Sequence, residues 1–360
     1  MSKPPKETDL LIVGSGNLSR TTIYALGHLP GKGIVTVLGR NAKQLSELVT
    51  SANITAHRNN SGYRFGWKQL ENNYANLDQR IIELNPRIVL NCLSLQSPWS
   101  LGQEDSWSQL VKECGFGSTV IFQLPLALRI ATTIRQHQLE TFYINACYPD
   151  VVNPILSDLD LPVNCGIGNV AILDELSRFA LDLTEDEDLS ILGHHYHVNQ
   201  LIKSPKERVG FPRIFLKGKE ITAVYELFKA IQLPESSLIN QVTGNNSARL
   251  IHSLINCVPI KKNLPGVNGH SGGVPVEISD FCCKIALPEL ISSNVVQKQN
   301  LELEKAEGIV SRYGNLVLHE KVHAYLGQID KAISKPMALD ELAAYLLHPN
   351  NVTKLMNRAN

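Results

Sequence analysis

The stretch from Asp9 to Asn41, DLLIVGSGNLSRTTIYALGHLPGKGIVTVLGRN, constrains this chain more than any other. It reads as strand, tight glycine turn, helix, strand. Leu10 to Val13 is a short apolar run, as a strand buried on both faces requires. Gly14-Ser15-Gly16 follows at once, and a helical pattern begins near Asn17 and Leu18. Gly14 permits the turn. Gly16, with no side chain, lets backbone approach a pyrophosphate at the positive end of the helix. Ser19 stands where the third glycine of G-x-G-x-x-G falls, and a small residue still allows close helix–strand packing. The second strand is read at Ile34 to Leu38. This context turns a short glycine motif into a dinucleotide-binding expectation; the alternative is an ordinary βαβ unit with a glycine turn.

The end of the second strand bears on the cofactor. NAD-binding chains usually carry Asp or Glu there to accept from the ribose hydroxyls. Here Leu38-Gly39-Arg40-Asn41 has no acid. Arg40 can pair with a 2′-phosphate and stack on adenine, or it simply caps a solvated loop. NADP(H) is therefore favoured, with NAD(H) as the other choice. The expected cofactor contacts are Gly14, Ser15, Gly16, Asn17, Leu18, Arg40, Asn41 and, leaving a later strand, Leu93.

A chain of 360 residues suits two domains sharing a cleft. Lys plus Arg number 34, as do Asp plus Glu, so the balanced charge argues against a nucleic-acid or anionic-membrane surface. The seven scattered cysteines include no C-x-x-C pair, which suits free thiols in a reducing compartment. The polar start MSKPPKETD lacks an apolar signal core, and no stretch reads as long enough to span a bilayer. A cytoplasmic protein is expected, with a small-molecule substrate as partner and a homo-oligomer left open.

Further along, Lys43 to Thr50 reads as a helix, Ile54 to His57 or Tyr63 to Phe65 as a strand, and Leu70 to Leu84 as a helix. Arg87 to Cys92 (RIVLNC) is a buried strand, and the loop from Leu93 leaves its carboxyl end, the edge that faces the crevice in open α/β sheets. Thr119 to Gln123 is expected as the next strand, Leu126 to His137 as its helix, and Thr141 to Ala146 as another strand. The fold expected is thus α/β: a Rossmann-type doubly wound parallel sheet over residues 1–165, followed by an α+β substrate domain over 166–360. In the second half Ile172 to Leu183 is an amphipathic helix, Leu189 to Val198 (LSILGHHYHV) a strand candidate, Pro212 to Ile221 a hairpin and Val274 to Ser279 a strand. Leu301 to Tyr313 and Leu339 to Leu347 are expected as closing helices.

Several pieces recur in one order: the glycine turn, Tyr148-Pro149-Asp150 after a strand, Gly166-Ile167-Gly168, Leu173-Asp174 opening a helix with Arg178, then Gly193-His194-His195. Over about residues 9 to 198 this resembles the lactate and malate dehydrogenase superfamily, which includes the family-four glycoside hydrolases. The resemblance implies an NAD(P)-dependent oxidoreductase moving a hydride to or from a small carbonyl or imine substrate. It implies His195 as the proton-relay histidine, Asp174 as its carboxylate partner and Arg178 as a clamp for a substrate carboxylate. The chemistry suits those residue types, since an imidazole titrates near neutrality and a carboxylate on its second nitrogen fixes the tautomer.

The chain also departs from the family. Asp174 and Arg178 are four apart where the dehydrogenases have three, so a plain i,i+4 ion pair is the competing reading. Tyr148 replaces the asparagine before Pro149. The loop SLQSPWSLGQ lacks the arginines that 2-hydroxy-acid dehydrogenases place there, which argues against simple lactate or malate chemistry. Gly168-Asn169 replace the Cys-His metal ligands of the glycosidases, so no metal is expected there. His194, His195 and His197 read as a packed cluster, a proton-transfer site or a metal site; on a strand His195 and His197 would share one face and His194 the other. Gly266 to Gly273 reads as a hairpin connection or a cleft loop carrying His270, and Cys147 as a buried thiol or a nucleophile. The competing function is a non-catalytic dinucleotide-binding sensor; a redox-assisted lyase or glycosidase is a third.

Overall fold

A computed structural model describes residues 7–97, 105–233 and 237–359. Leu10–Val13 is β1, Asn17–His28 α1, Lys32–Gly39 β2, Ala42–Arg58 α2 and Gly62–Gln69 β3. Leu77–Leu84 is α3, Ile88–Asn91 β4, Ser106–Cys114 α4 and Val120–Gln136 α5. Phe142–Asn145 is β5, Pro149–Asp158 α6 and Cys165–Gly166 β6. The six strands form one parallel sheet in the order β3-β2-β1-β4-β5-β6. The order reverses between β1 and β4, and the crevice outside their carboxyl ends is where open α/β sheets take ligands. Alternate side chains of β1 enter opposite layers: Leu10 and Ile12 pack with α1 and α2, Leu11 and Val13 with α3, α5 and α6. That is the Rossmann-type doubly wound sheet expected from the apolar runs.

Beyond it lie α7 (Asn169–Leu181), β7 (Leu189–Leu192), α8 (His195–Ile202), β8 (Arg213–Leu216), β9 (Lys219–Glu220) and α9 (Val224–Phe228). There follow α10 (Asn240–Ile255), β10 (Ile260–Pro265), β11 (Gly273–Ser279), β12 (Cys282–Ile285) and α11 (Ser293–Ala306). The chain closes with β13 (Ile309–Ser311), β14 (Asn315–Leu318), α12 (Glu320–Ile329), β15 (Met337–Ala338), α13 (Leu339–Leu347) and α14 (Pro349–Ala359). These strands make small antiparallel sheets, so helices and antiparallel strands mix as expected of an α+β half. The last segments return to the first half: Leu316, Val322, Leu342 and Leu355 share a core with Leu11, Val111 and Ile130.

Several expectations are corrected. Thr119 to Gln123 is no strand; it ends a short 3-10 turn and begins α5, which forms the crossover between β4 and β5. A continuous apolar run such as VIFQLPLAL does not separate a buried strand from a buried helix. Phe116–Gln136 is also long and apolar enough to cross a membrane, contrary to the sequence reading, and 89% of that apolar window is buried inside the protein. Leu189 to Val198 is strand only to Leu192; helix α8 starts at His195. Ile54 to His57 lies inside α2, residues 70–76 are not helical, and Leu301 to Tyr313 divides into the end of α11 and β13. Gly266 to Gly273 connects β10 to β11 as a hairpin loop, which is the first of its two readings.

Candidate active site: a glycine turn and a histidine share one cleft

The first wall of the cleft is the turn after β1. Gly14 adopts φ 111°, and a Cβ there would come 3.1 Å from the Cys92 carbonyl oxygen. A Cβ on Gly16 would meet nothing within 4 Å, and no side chain caps the amino end of α1. Unsatisfied helix N–H groups facing open space form an anion site. Ser15, Gly16, Asn17 and Leu18 line the cleft, whose volume is about 1650 Å³, and so do Arg40 and Leu93. These residues fit a dinucleotide: glycine leaves room for the pyrophosphate and the helix end complements its charge. Arg40 is exposed, with its guanidinium 5.1 Å from the centre of the Tyr74 ring. Asn41 does something else: its side chain accepts from Gln44 N and caps α2.

Helix α8 lines the same cleft. His194 and His197 form a reciprocal cap at its start. His194 Nδ1 accepts from Tyr196 N at 3.1 Å, and His197 Nδ1 accepts from His194 N at 3.0 Å. Burial, reinforced by neighbouring His194, pushes His197 down to about 3, so it stays a neutral acceptor. The helical cap replaces the strand alternation, and the three rings do not converge on one point. His195 alone of the three lines the cleft.

His195 is held on all sides. Its Nδ1 lies 2.7 Å from Glu307 Oε1, and its backbone N–H donates to Asp150 Oδ1 at 3.0 Å. Phe116 stacks on the ring, with centroids 4.2 Å apart, and Tyr148 meets it edge-on at 5.3 Å. A carboxylate only accepts, so Nδ1 carries the proton and Nε2 is the nitrogen left for a ligand. Burial lowers the affinity of the ring for its proton, but Glu307, with help from Asp150, outweighs that and raises the His195 pKa above its ordinary value. Burial likewise acts to raise Glu307, and the His195 partner reverses it, leaving the carboxyl below the usual range.

Asp174 and Arg178 are not brought to this histidine. They pair with each other at 3.1 Å, and Arg178 also donates to the carbonyls of Thr184 and Glu187. That is the i,i+4 ion pair of the competing reading, and the carboxylate on His195 is Glu307. Sequence reasoning missed Glu307. A glutamate at the carboxyl end of a helix, before Gly308, opposes the helix dipole, and that is the one local signal it carried. The Tyr148 hydroxyl donates a hydrogen bond to Glu307 Oε2 at 2.9 Å. Asp150 also accepts from the Asn169 side chain, which joins the start of α7 to the same turn. Cys147 reads as the buried thiol: burial raises its pKa, and Asn91 Nδ2 approaches its sulfur at 3.6 Å. Residues 98–104 of the loop after β4 lie outside the described residues.

A six-stranded 321456 sheet with a glycine turn and a cleft histidine on the following half defines a class of dinucleotide-type α/β fold. Its structural neighbours are malate and lactate dehydrogenases. Malate dehydrogenase from Plasmodium falciparum superposes with a TM-score of 0.51 at 11% identity, covering 83% of this chain and 96% of that one. Lactate dehydrogenase from Cryptosporidium parvum, complexed with lactic acid and β-nicotinamide adenine dinucleotide, gives 0.51 at 13% identity over 84% and 97%. Malate dehydrogenase from Aeropyrum pernix gives 0.51 at 10% over 82% and 97%. At such identities the likeness is one of fold, and at that level the resemblance drawn from the motifs holds. No family model matches the chain, and no curated protein sequence matches it.

Proposed function

We propose that the protein is an NAD(P)-dependent oxidoreductase acting on a carbonyl or imine group of a small molecule. One observation carries this reading: the uncapped glycine turn and the Glu307-bound His195 line the same cleft. Hydride transfer at carbon is the chemistry a bound nicotinamide supplies. The chain's part is to place the reacting group and manage its proton. His195 Nε2 gives that proton to the nascent alkoxide or amine in reduction and removes it in oxidation. Phe116 and Tyr148 keep the ring from swinging away. The seven free thiols fit a reducing, cytoplasmic setting. The test is consumption of NADPH or NADH across a panel of aldehydes, ketones and imines. A sensor that binds the cofactor without chemistry would show binding and no turnover; Tyr148, standing where the family has asparagine and bonded to Glu307, favours that second reading.

NADPH is expected to bind more tightly than NADH. Arg40 extends from the end of β2 where no acid stands, over a ring that already packs against its guanidinium. A charge-assisted pair with a phosphate is worth on the order of 1.5–3 kcal/mol, about tenfold or more in affinity. Fluorescence titration with both cofactors checks this, and equal or tighter NADH binding removes Arg40 from the role.

Pyruvate and oxaloacetate are expected not to be turned over efficiently. Small keto acids are commonly gripped by a bidentate guanidinium. Arg178 is committed to Asp174 and two carbonyls. Arg208, though buried, donates to the carbonyls of Lys203, Leu201, Phe228 and Ile231. The loop segment 98–104 contains neither Lys nor Arg in its sequence. Efficient reduction of either acid would mean that another cation does the work of the clamp.

A further inference from the structure

We infer that Glu307, from the carboxyl end of α11, is the positioning residue of this site, taking the place beside His195 that a carboxylate on α7 was expected to fill. The inference deepens the oxidoreductase reading and rests on it for the meaning of the site, while its test does not require turnover.

Glu307 is tied into every element around the imidazole. Its Oε1 takes His195 Nδ1 at 2.7 Å and Asn199 Nδ2 at 2.8 Å, the latter from the next turn of α8. Its Oε2 takes the Tyr148 hydroxyl at 2.9 Å. Its backbone carbonyl accepts from Gly117 N at 2.7 Å. That last bond brings the 115–117 loop against Glu307 and sets Phe116 on the histidine ring. The loop fits only because its first residue is glycine. Gly115 has φ 100°, and a Cβ there would lie 2.3 Å from the Glu307 carbonyl oxygen. One residue therefore holds the ring by its side chain and the ring's aromatic cover by its backbone.

A buried carboxylate is costly unless its oxygens are satisfied. Glu307 is 3% exposed at the side chain, and three donors converge on its two oxygens. Such an arrangement stabilises imidazolium over imidazole, so the ring holds its proton more tightly than an ordinary histidine does. The other groups facing the ring are Asp150, through the backbone of His195; Tyr148, edge-on; and His194, whose Nδ1 is 3.7 Å from Glu307 Oε2. Asp150 adds to the same effect, but Glu307 is the only carboxylate bonded to the ring among the described residues. In reduction the proton donor must be protonated, so activity falls as pH rises through the raised His195 pKa. Weakening the pair moves that limb to lower pH.

The experiment is an NMR titration of the histidine rings in the full-length protein, wild type beside Glu307→Gln and Asp174→Asn, with NADPH binding as a check on the fold. An opposite charge at this range shifts a pKa by about 1–3 units. Glu307→Gln should therefore lower the His195 titration by about a unit or more, and Asp174→Asn should leave it in place. An unchanged His195 in Glu307→Gln, or an equal shift in Asp174→Asn, overturns the inference. Where Glu307→Gln does not fold, Tyr148→Phe carries the test: it removes one donor from the carboxylate and must displace the His195 titration, and no displacement overturns the inference equally. Absence of turnover with every carbonyl compound would defeat the oxidoreductase reading instead, and would leave the titration result standing.

Discussion

His195→Asn should lower turnover by roughly 10²–10⁴-fold, the usual worth of a positioned acid or base, with NADPH affinity unchanged. Asparagine has an amide where the ring was and no proton to give at neutral pH. The proposed cofactor contacts are elsewhere in the chain: the glycine turn follows β1 and Arg40 follows β2. His194→Asn and His197→Asn are the controls. Their Nδ1 atoms serve as acceptors for backbone N–H groups at the start of α8, a role that the asparagine Oδ1 can take over at a cap, so both variants should keep turnover and stability near those of the wild type. The comparison needs kcat, NADPH affinity and a denaturation midpoint for each variant. Wild-type turnover in His195→Asn together with its loss in His194→Asn or His197→Asn would show that the wrong ring carries the proton. Full activity in all of them would end the proton-relay reading and leave the likeness to dehydrogenases as one of fold.

Arg312→Met should destabilise the protein by about 3–5 kcal/mol, the cost of breaking a buried ion pair from one side. The guanidinium is 4% exposed. Its Nε lies 3.0 Å from Glu304 Oε2 and its Nη1 3.0 Å from Asp158 Oδ2, joining the segment just after β13 to α11 and α6. Glu304 is itself 2% exposed and also accepts from the Ser271 hydroxyl. Methionine nearly fills the space but leaves the Glu304 charge in the interior with one neutral donor. Adding Glu304→Leu removes that stranded charge, and the double variant should recover most of the loss. Urea unfolding of the wild type, the single variant and the double variant measures both effects. A single-variant loss of about 1 kcal/mol or less, the range of exposed pairs, would mean that water reaches the site.

The first half is legible in sequence because its signals are local. The apolar run of β1, the glycines after it and the polar start of α1 are neighbours along the chain. The strands at Arg87 to Cys92 and Thr141 to Ala146 announce themselves by composition, and the structure puts β4 and β5 within them. The misreadings have local causes too. The apolar run after Thr119 suits a strand or a buried helix equally, and only the need for a crossover between two adjacent parallel strands makes it α5. HHYHV alternates well enough for a strand; it becomes a helix because His194 and His197 satisfy its first N–H groups, a use of histidine that composition does not signal.

By itself, then, the sequence determined the doubly wound sheet and the glycine turn at its centre, and it singled out His195, which lines the same cleft. Each follows from residues within a few positions of one another, where backbone preference and apolar periodicity act. The tertiary structure alone decided which carboxylate meets that histidine. Asp174 has its own cation one turn away in Arg178 and pairs with it, as i,i+4 neighbours on a helix do. Glu307 stands 112 positions from His195. The two meet because the last third of the chain returns to the first core and α11 ends beside α8. No pattern along the chain records such an approach, because it is set by the packing of whole elements.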